Sequence, residues 1–435
     1  MFENAFLRPR LEGQPREDKR RLYARIDHFE PDAAVLEAVD AAFFDTLPDI
    51  AGIDAWSEFS ARAPIFVLHD RDHRQTPPPR AELDDWPDAM PPRWYEIRIA
   101  PGGKSLLFFN LFREPQATTV EGVKAVDPTT SRKLEEIFDL EPLQRQPHEI
   151  QEVLDAVTGT IDWIGVYDIG QGNANGLCDS GETPLAYFDL GGGVNTNLAT
   201  FPAALTDFCY QASPPVVLSH WDWDHWSSGA KFPGAQALNW IAPAQSLGVV
   251  HSTFAAGLHR AGRLFIWPNT LAALSSGQMT IRKCTSMGAN RNHTGLAMEV
   301  RGPSGEPPIL LTGDARYTAI PGAVGTTFTS VVAPHHGANM SSHATPAGTG
   351  QPGARAAYSF GLNNSHQHPT AVAFSDHHVA GWPHQAHGAA VPVDRDTTNR
   401  SIGGLGHLGL GWSATPSLPG HRCPSAQCAV ELRHT

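Results

Sequence analysis

The stretch SHWDWDHWSSGA, residues 219 to 230, decides how this chain is read. It follows the apolar run Val216, Val217, Leu218 and sets His220, Asp222, Asp224 and His225 close together, interleaved with Trp221, Trp223 and Trp226. On a loop leaving a strand, residues two apart project to the same side, so His220 and Asp222 can chelate one cation while Asp224 and His225 turn toward a second. Two half-sites result, each short of ligands that other segments must supply. The tryptophans read as packing residues around them.

From Ile161 onward, short apolar runs stop abruptly in polar, glycine-rich or histidine-rich loops: WIGVYDIGQGNANG, LAYFDLGGGVN, PPVVLSHWDWDH, PPILLTGDARY, TSVVAPHHGANMSSH and AAYSFGLNNSHQHPT. Such runs are read as buried strands, and strands that deliver chemistry-bearing side chains at their C-terminal ends imply one shared site along a sheet rim. The later loops offer Asp314, His335 or His336, and His368 as further ligands. A carboxylate such as Asp314 can bridge two cations, and ions held about 3.5–4 Å apart suit phosphoester displacement.

With these motifs in this order, the segment from about Ile161 to about Trp382 resembles the metallo-β-lactamase superfamily. More narrowly it is similar to the hydrolase domain of the DNA-uptake competence protein ComEC and to the phosphorylcholine esterases. VYDIGQGNA, YFDLGGG, the His-x-Asp-x-Asp-His loop, LLTGDA, VVAPHHG and GLNNSHQHP carry the likeness. Asp222 stands where the commoner form of the superfamily has histidine.

The resemblance implies an α/β fold, a four-layered αβ/βα sandwich with the metals at one edge of two facing sheets. It places one ion on His220, Asp222 and a histidine of the PHHG pair, with His336 favoured over His335. The other ion falls to Asp224, His225 and His368, with Asp314 bridging. His293 in NRNHTGLAMEV is a rival ligand or substrate contact, and Asp168 and Asp189 are expected to orient ligands or cap loops. Two departures stand out: the chain lacks the competence protein's membrane channel, and Ala338, Asn339, Ser341 and Ser342 follow PHHG where that branch usually continues with serine.

The activity implied is a metal-dependent hydrolase, a phosphodiesterase or nuclease. Two divalent ions, Zn2+ or Mn2+, would generate the attacking hydroxide, with Asp222, Asp224 and Asp314 as the catalytic carboxylates. Hydrolysis of a carboxylic ester, lactone or thioester on the same site is the alternative within enzymes. A non-catalytic nucleotide-binding or sensor protein is the alternative outside them. Lys231, Arg316, Asn339 and Asn364 lie near the motif loops and are candidates to anchor a phosphate. The expected partner is a phosphodiester or other small anionic substrate, nucleic acid included.

Outside this segment the sequence is less informative. A chain of 435 residues is expected to form two units, since domains usually run about 100–200 residues. We divide it into an accessory α+β domain of unnamed role and unknown protein partner (1–158), the hydrolase domain (159–385) and a Gly/Pro/His-rich extension (386–435), read as loops and a candidate lid. In the first region, PDAAVLEAVDAAFFDTL and RKLEEIFDLEPLQ read as helices, YEIRIA and SLLFFNLF as a hairpin across PGGK, and HRQTPPPRAELDDWPDAMPPRW as a loop.

The net charge of −13 argues against a broad nucleic-acid-binding face, because phosphate neutralisation needs clustered Lys and Arg. No run approaches the roughly 18 apolar residues of a membrane span. The N-terminus lacks the features of a secretory signal, which makes a cytoplasmic location the expectation. The 5 cysteines are an odd, scattered set that reads as reduced thiols, CPSAQC included.

Overall fold

In this computed structural model the N-terminal strands are antiparallel: β1 (Arg20–Glu30), β2 (Ala33–Asp40), β3 (Ile65–Asp70), β4 (Trp94–Phe109) and β5 (Gln116–Ala125). Residues 20–30, 33–48, 52–60, 62–70, 94–109, 116–286, 290–340, 344–351, 354–382, 397–398 and 406–412 are described. The loop expected between residues 73 and 93, the CPSAQC pair, Ser341 and Ser342 lie outside them.

Two expectations for this region are corrected. Residues 33–40 form strand β2, and only α1 (Ala41–Asp45) is helical in the segment read as one helix. Ala34, Leu36 and Ala38 join Leu22 and Ala24 in one apolar cluster, while Val35, Glu37 and Val39 are buried on the other face. A strand covered on both sides shows no polar alternation, so its apolar residues fall at helical spacing by default.

Nor do YEIRIA and SLLFFNLF form a hairpin. They are halves of β4, with Trp94–Ile99 against β1 and Leu106–Phe109 against β3. Strands β1 to β4 thereby close on themselves. Against β5 the register breaks between Pro101 and Leu106, so PGGK supplies a bulge that bends the strand instead of a turn that reverses it.

Helices α2 (Gly52–Phe59) and α3 (Pro128–Ile137) follow in the same part of the chain. The Asp127 side chain caps α3 by accepting from Thr129 N and Thr130 N, and Pro128 takes the first turn, where its missing N–H costs nothing.

The chain continues through α4 (Pro147–Asp155), β6 (Trp163–Val166), β7 (Ala174–Cys178), β8 (Pro184–Leu190), β9 (Val216–Val217), α5 (Trp223–Lys231), β10 (Trp240–Pro243), α6 (Val249–Arg260) and β11 (Leu264–Trp267). After these come β12 (Ala273–Ser276), β13 (Met279–Lys283), α7 (Arg291–Thr294), β14 (Leu296–Val300) and β15 (Ile309–Leu311). The last are β16 (Thr327–Phe328), β17 (Ser330–Val332), β18 (Ala347–Gly348), β19 (Arg355–Ala357), α8 (Ala371–Val379) and β20 (Leu408–Gly411).

Contacts divide the molecule into two units, residues Met1–Pro142 with Ser246–Gly262, and Leu143–Gln245 with Arg263–Thr435. Helix α4 therefore belongs to the second unit, where Ile150, Val153 and Leu154 enter the core, although it precedes the boundary drawn at residue 158. Helix α6 belongs to the first.

The second unit is mixed α/β. One sheet runs β11-β10-β9-β8-β7-β6-β20 and the other β12-β13-β14-β15-β17-β19, with β16 and β18 as a separate pair. The runs ending in motif loops are all strands: β6, β8 and β9 in the first sheet, β15, β17 and β19 in the second. Ile164, Leu177, Phe188, Val217 and Ile241 of one sheet share an apolar cluster with Ile281, Met298, Ile309, Leu311 and Val332 of the other. Leu408–Gly411, read as loop, pairs antiparallel with β6 as an edge strand of that sheet. No described helix is long and apolar enough to cross a membrane.

Candidate metal centre

The loop between β9 and α5 is short because the helix starts at once. Asp222 is its N-cap residue, Asp224 lies in its first turn and His225 follows one position later. Strand end and helix start therefore hold His220, Asp222, Asp224 and His225 in fixed directions. The backbone beneath them is equally constrained. The carbonyl of Asp224 accepts from Asn173 N at 3.0 Å and Gly192 N at 3.1 Å. A Cβ on Gly191 would lie 1.6 Å from that oxygen, and one on Gly172, whose φ is +143°, would lie 2.4 Å from it. The glycines of the GQG and LGGG motifs thus let two loops close over the metal-loop backbone, a role the sequence reading did not assign.

Asp314, in the turn that follows β15, is 2% exposed and offers one oxygen to each half of the centre. Its Oδ1 lies 3.0 Å from His225 Nε2 and 3.5 Å from His336 Nε2. Its Oδ2 lies 3.7 Å from His220 Nε2 and 3.5 Å from His335 Nε2. Asp222 Oδ2 is 3.3 Å from His220 Nε2, and Asp224 Oδ2 is 3.1 Å from His336 Nε2. Two groups, His220/His225/Asp314 and Asp224/His225/His336, each bring three ligand atoms within 4.8 Å of one another.

The two histidines of the PHHG pair divide between the halves. The resemblance puts one of them, His336 favoured, with His220 and Asp222; here the Nε2 of His336 faces Asp224 and His225, and His335 is the one on the His220 side. The cause is backbone conformation. His335 (φ 48°) and His336 (φ 56°) are both left-handed, and their ring planes diverge by 74°, which sends the rings to different sides of Asp314. Non-glycine residues held there cost about 1–3 kcal/mol each, a strain that concentrates at functional sites.

Neighbouring groups fix which nitrogen each ring offers. Asp189 Oδ2 accepts from His225 Nδ1 at 2.9 Å, and the Ser359 carbonyl accepts from His336 Nδ1 at 2.9 Å. Ser219 Oγ donates to Asp189 Oδ2 and so accepts from His220 Nδ1 at 2.9 Å. All three Nδ1 atoms are engaged within the protein, which leaves the three Nε2 atoms, turned toward the carboxylates, as the nitrogens a cation would bind. The orphaned atoms fit this: His220 Nε2, His225 Nε2, His336 Nε2 and Asp314 Oδ1 are buried and make no hydrogen bond. Arg291 Nη2 lies 2.9 Å from Asp222 Oδ1 and holds that carboxylate from outside.

The electrostatics describe a site built around positive charge. Burial alone would raise the Asp224 pKa, but His225 and His336 outweigh it and hold it down to about 2. For Asp314 burial is likewise overcome, by His225, His335 and His336, and its pKa lies well below the usual carboxylate range. Burial opposes charge on His225 and His336 too, yet Asp314 and the other carboxylates raise both. Protons thus occupy the positions where a cation would satisfy the same oxygens.

The remaining residues fall around this core. His368 sits beside His335 and His336, ring centroids 5.4 and 6.3 Å away, and is not in either tight group. Burial and the neighbouring histidines push its pKa down to about 2, and its buried Nδ1 has no hydrogen-bond partner. His293 is held near pKa 4 by burial, then by Arg316 and His335, and stays a neutral imidazole beside the His220 half.

Asn364 spends its amide on its own loop, donating to Gly361 O and His368 O and accepting from His366 N and His368 N. Lys231 lies six residues past His225, about 9 Å along the helix axis, with Nζ 3.2 Å from the Phe201 ring centroid. Asn339 is the second residue after the PHHG turn and is half-buried. Asp168 caps its loop, accepting from Gly170 N and Gly406 N. Trp221, Trp223 and Trp226 are buried.

The sequence matches no protein-family model and no curated protein.

Proposed function

We propose that the second unit is a metallo-β-lactamase-like hydrolase of the four-layered αβ/βα type, acting on a phosphodiester through a dinuclear metal centre. The observation that carries this reading is Asp314 offering one oxygen to each of two half-sites, with buried, unbonded Nε2 atoms converging on them. His220, Asp222 and His335 would hold one ion, and Asp224, His225 and His336 the other. His368 and His293 stand as the nearest additional donors. The mixed oxygen and imidazole set suits zinc or manganese.

A pair of divalent cations held there would supply Lewis acidity, lowering the pKa of water toward neutrality and offsetting charge on a phosphoryl group. The protein's own residues do the rest. Asp189, Ser219 and Ser359 fix the imidazole tautomers, Arg291 fixes Asp222, and the left-handed turn at His335 and His336 sets both rings without further rearrangement. Arg316, the neighbouring His293 and the partly exposed His335 would form the face toward an anionic substrate.

The test is metal content by elemental analysis, paired with hydrolysis of bis(p-nitrophenyl) phosphate and of p-nitrophenyl acetate. About two equivalents bound and turnover of the diester support the reading. Turnover of the carboxylic ester alone moves the substrate class to esters. A chain that stays inert after reconstitution with zinc and with manganese ends the hydrolase reading.

A further inference from the structure

A second convergence of ligand-type side chains lies in the first unit, on residues separate from those of the centre already described. Asp27 on β1, Glu37 on β2 and His251 in the first turn of α6 bring three ligand atoms within 4.8 Å of one another. His251 Nε2 lies 3.1 Å from Asp27 Oδ1 and 3.0 Å from Glu37 Oε1. The side chains are 2%, 0% and 0% exposed for Asp27, Glu37 and His251.

The fold assembles this group from remote parts of the chain. Leu22, Ala24, Leu36 and Ala38 face the apolar cluster of the N-terminal sheet. Alternation puts Arg25, its partner Glu37, and Asp27 on the opposite face. The register breaks between Ile26 and His28, so Asp27 is the bulged residue, and a bulge commonly re-aims a side chain toward a site. Helix α6 packs on β2 and β3, and Glu37 Oε2 accepts from Val250 N at 3.0 Å in the first turn of that helix.

Two buried carboxylates from neighbouring strands converge on one imidazole nitrogen, so three ligand-type atoms from three elements stand together out of water. Buried charges are normally paired or coordinate a metal. A tetrahedral ion with ligands at about 2.0–2.2 Å sets its ligand atoms roughly 3.3–3.6 Å apart, a few tenths of an ångström wider than the 3.1 and 3.0 Å found here.

We propose that Asp27, Glu37 and His251 form a mononuclear divalent-metal site, zinc being the ion its mixed nitrogen and oxygen donors suit, which fastens α6 to the N-terminal sheet. The site is structural, and it stands independently of the hydrolase reading. Each of its three donors comes from a different element, so one bound ion ties together strands and a helix separated by more than two hundred residues of sequence.

The test uses the full-length chain, stripped with chelator, reloaded with zinc and freed of excess by gel filtration. Zinc per chain is counted in the parent, in Asp27→Asn and His251→Gln, and in each of these combined with His225→Ala and Asp314→Ala. Triad variants are expected to hold about one equivalent less than their parent in both backgrounds, and added zinc raises the unfolding temperature of the parent more than that of Asp27→Asn. Equal counts in parent and Asp27→Asn, with both folded by circular dichroism, overturn the proposal and leave an imidazolium held between two carboxylates. Asp27→Asn preserves side-chain size and decides the matter if His251→Gln does not fold. Failure of the dinuclear reading is separately visible, as a count that the His225 and Asp314 changes leave untouched.

Discussion

His225 and Asp189 are both fully buried, and the Nδ1 of the first donates to Oδ2 of the second at 2.9 Å. The same carboxylate accepts from Ser219 N at 2.6 Å and Ser219 Oγ at 2.8 Å. Asp189 thus sets the ring and the loop that carries it. Asp189→Asn, which tolerates the left-handed φ of 62° at this position, is expected to weaken metal affinity about 10–100-fold. Competition against a chromophoric chelator measures it, and an unchanged affinity removes Asp189 from this role.

The two PHHG histidines are expected to separate on substitution. His336 is 3% exposed with its Nε2 among Asp224, His225 and Asp314, whereas the His335 side chain is 34% exposed and 3.5 Å from Asp314 Oδ2. His336→Ala should cost more than the roughly 10–100-fold in affinity typical of a supporting contact, and His335→Ala less than His336→Ala. Isothermal titration with zinc compares them, and the reverse order contradicts the assignment of His336 to the Asp224 half.

Asp314→Ala removes a side chain whose two oxygens face different halves of the centre. Loss of both ions and a fall in diester hydrolysis of about a thousandfold or more are expected, since the carboxylate is needed for both ions to be held together. Retention of about two equivalents of metal by the folded variant would show that Asp314 is not the bridge.

Gly191→Ala would place a methyl group 1.6 Å from the Asp224 carbonyl, which is backbone and cannot rotate away. A destabilisation of about 2–4 kcal/mol is expected, at the upper end for overpacking. Gly122→Ala in β5, with nothing within 4 Å of the added carbon, serves as control and should stay within about 1 kcal/mol of the parent. Denaturant midpoints distinguish them.

Lys283 donates to the Thr294 carbonyl, and burial lowers its pKa from 10.5 to about 8. Between those values the folded chain has released a proton that the unfolded chain keeps, so this residue makes stability rise with pH across that window. Lys283→Met is expected to flatten the rise by about 1–2 kcal/mol, allowing for partial exposure. Urea midpoints taken at pH 7.5 and pH 10 test the difference, and equal slopes for parent and variant refute it.

Where sequence and structure part, the cause is tertiary. Strand β2 was misread because both of its faces are covered, which removes the alternation that marks a half-buried strand. Strand β4 was split because Gly102 and Gly103 signal a turn locally, while pairing with β1, β3 and β5 makes the same residues a bulge. The motif-bearing strands of the second unit were legible because each is a short apolar run that ends where its polar loop begins.

The sequence by itself determined that His220, Asp222, Asp224 and His225 leave one strand together, because they lie within six positions soon after the apolar run Val216, Val217, Leu218. Only the tertiary structure decided how that loop is completed. His336 joins Asp224 and His335 turns the other way because of two successive left-handed residues, a backbone state that no side-chain spacing encodes. The meeting of Asp27, Glu37 and His251 is of the same kind. It depends on a bulge in β1 and on α6 packing with the N-terminal unit, and interactions between residues so distant in sequence leave no local pattern to read.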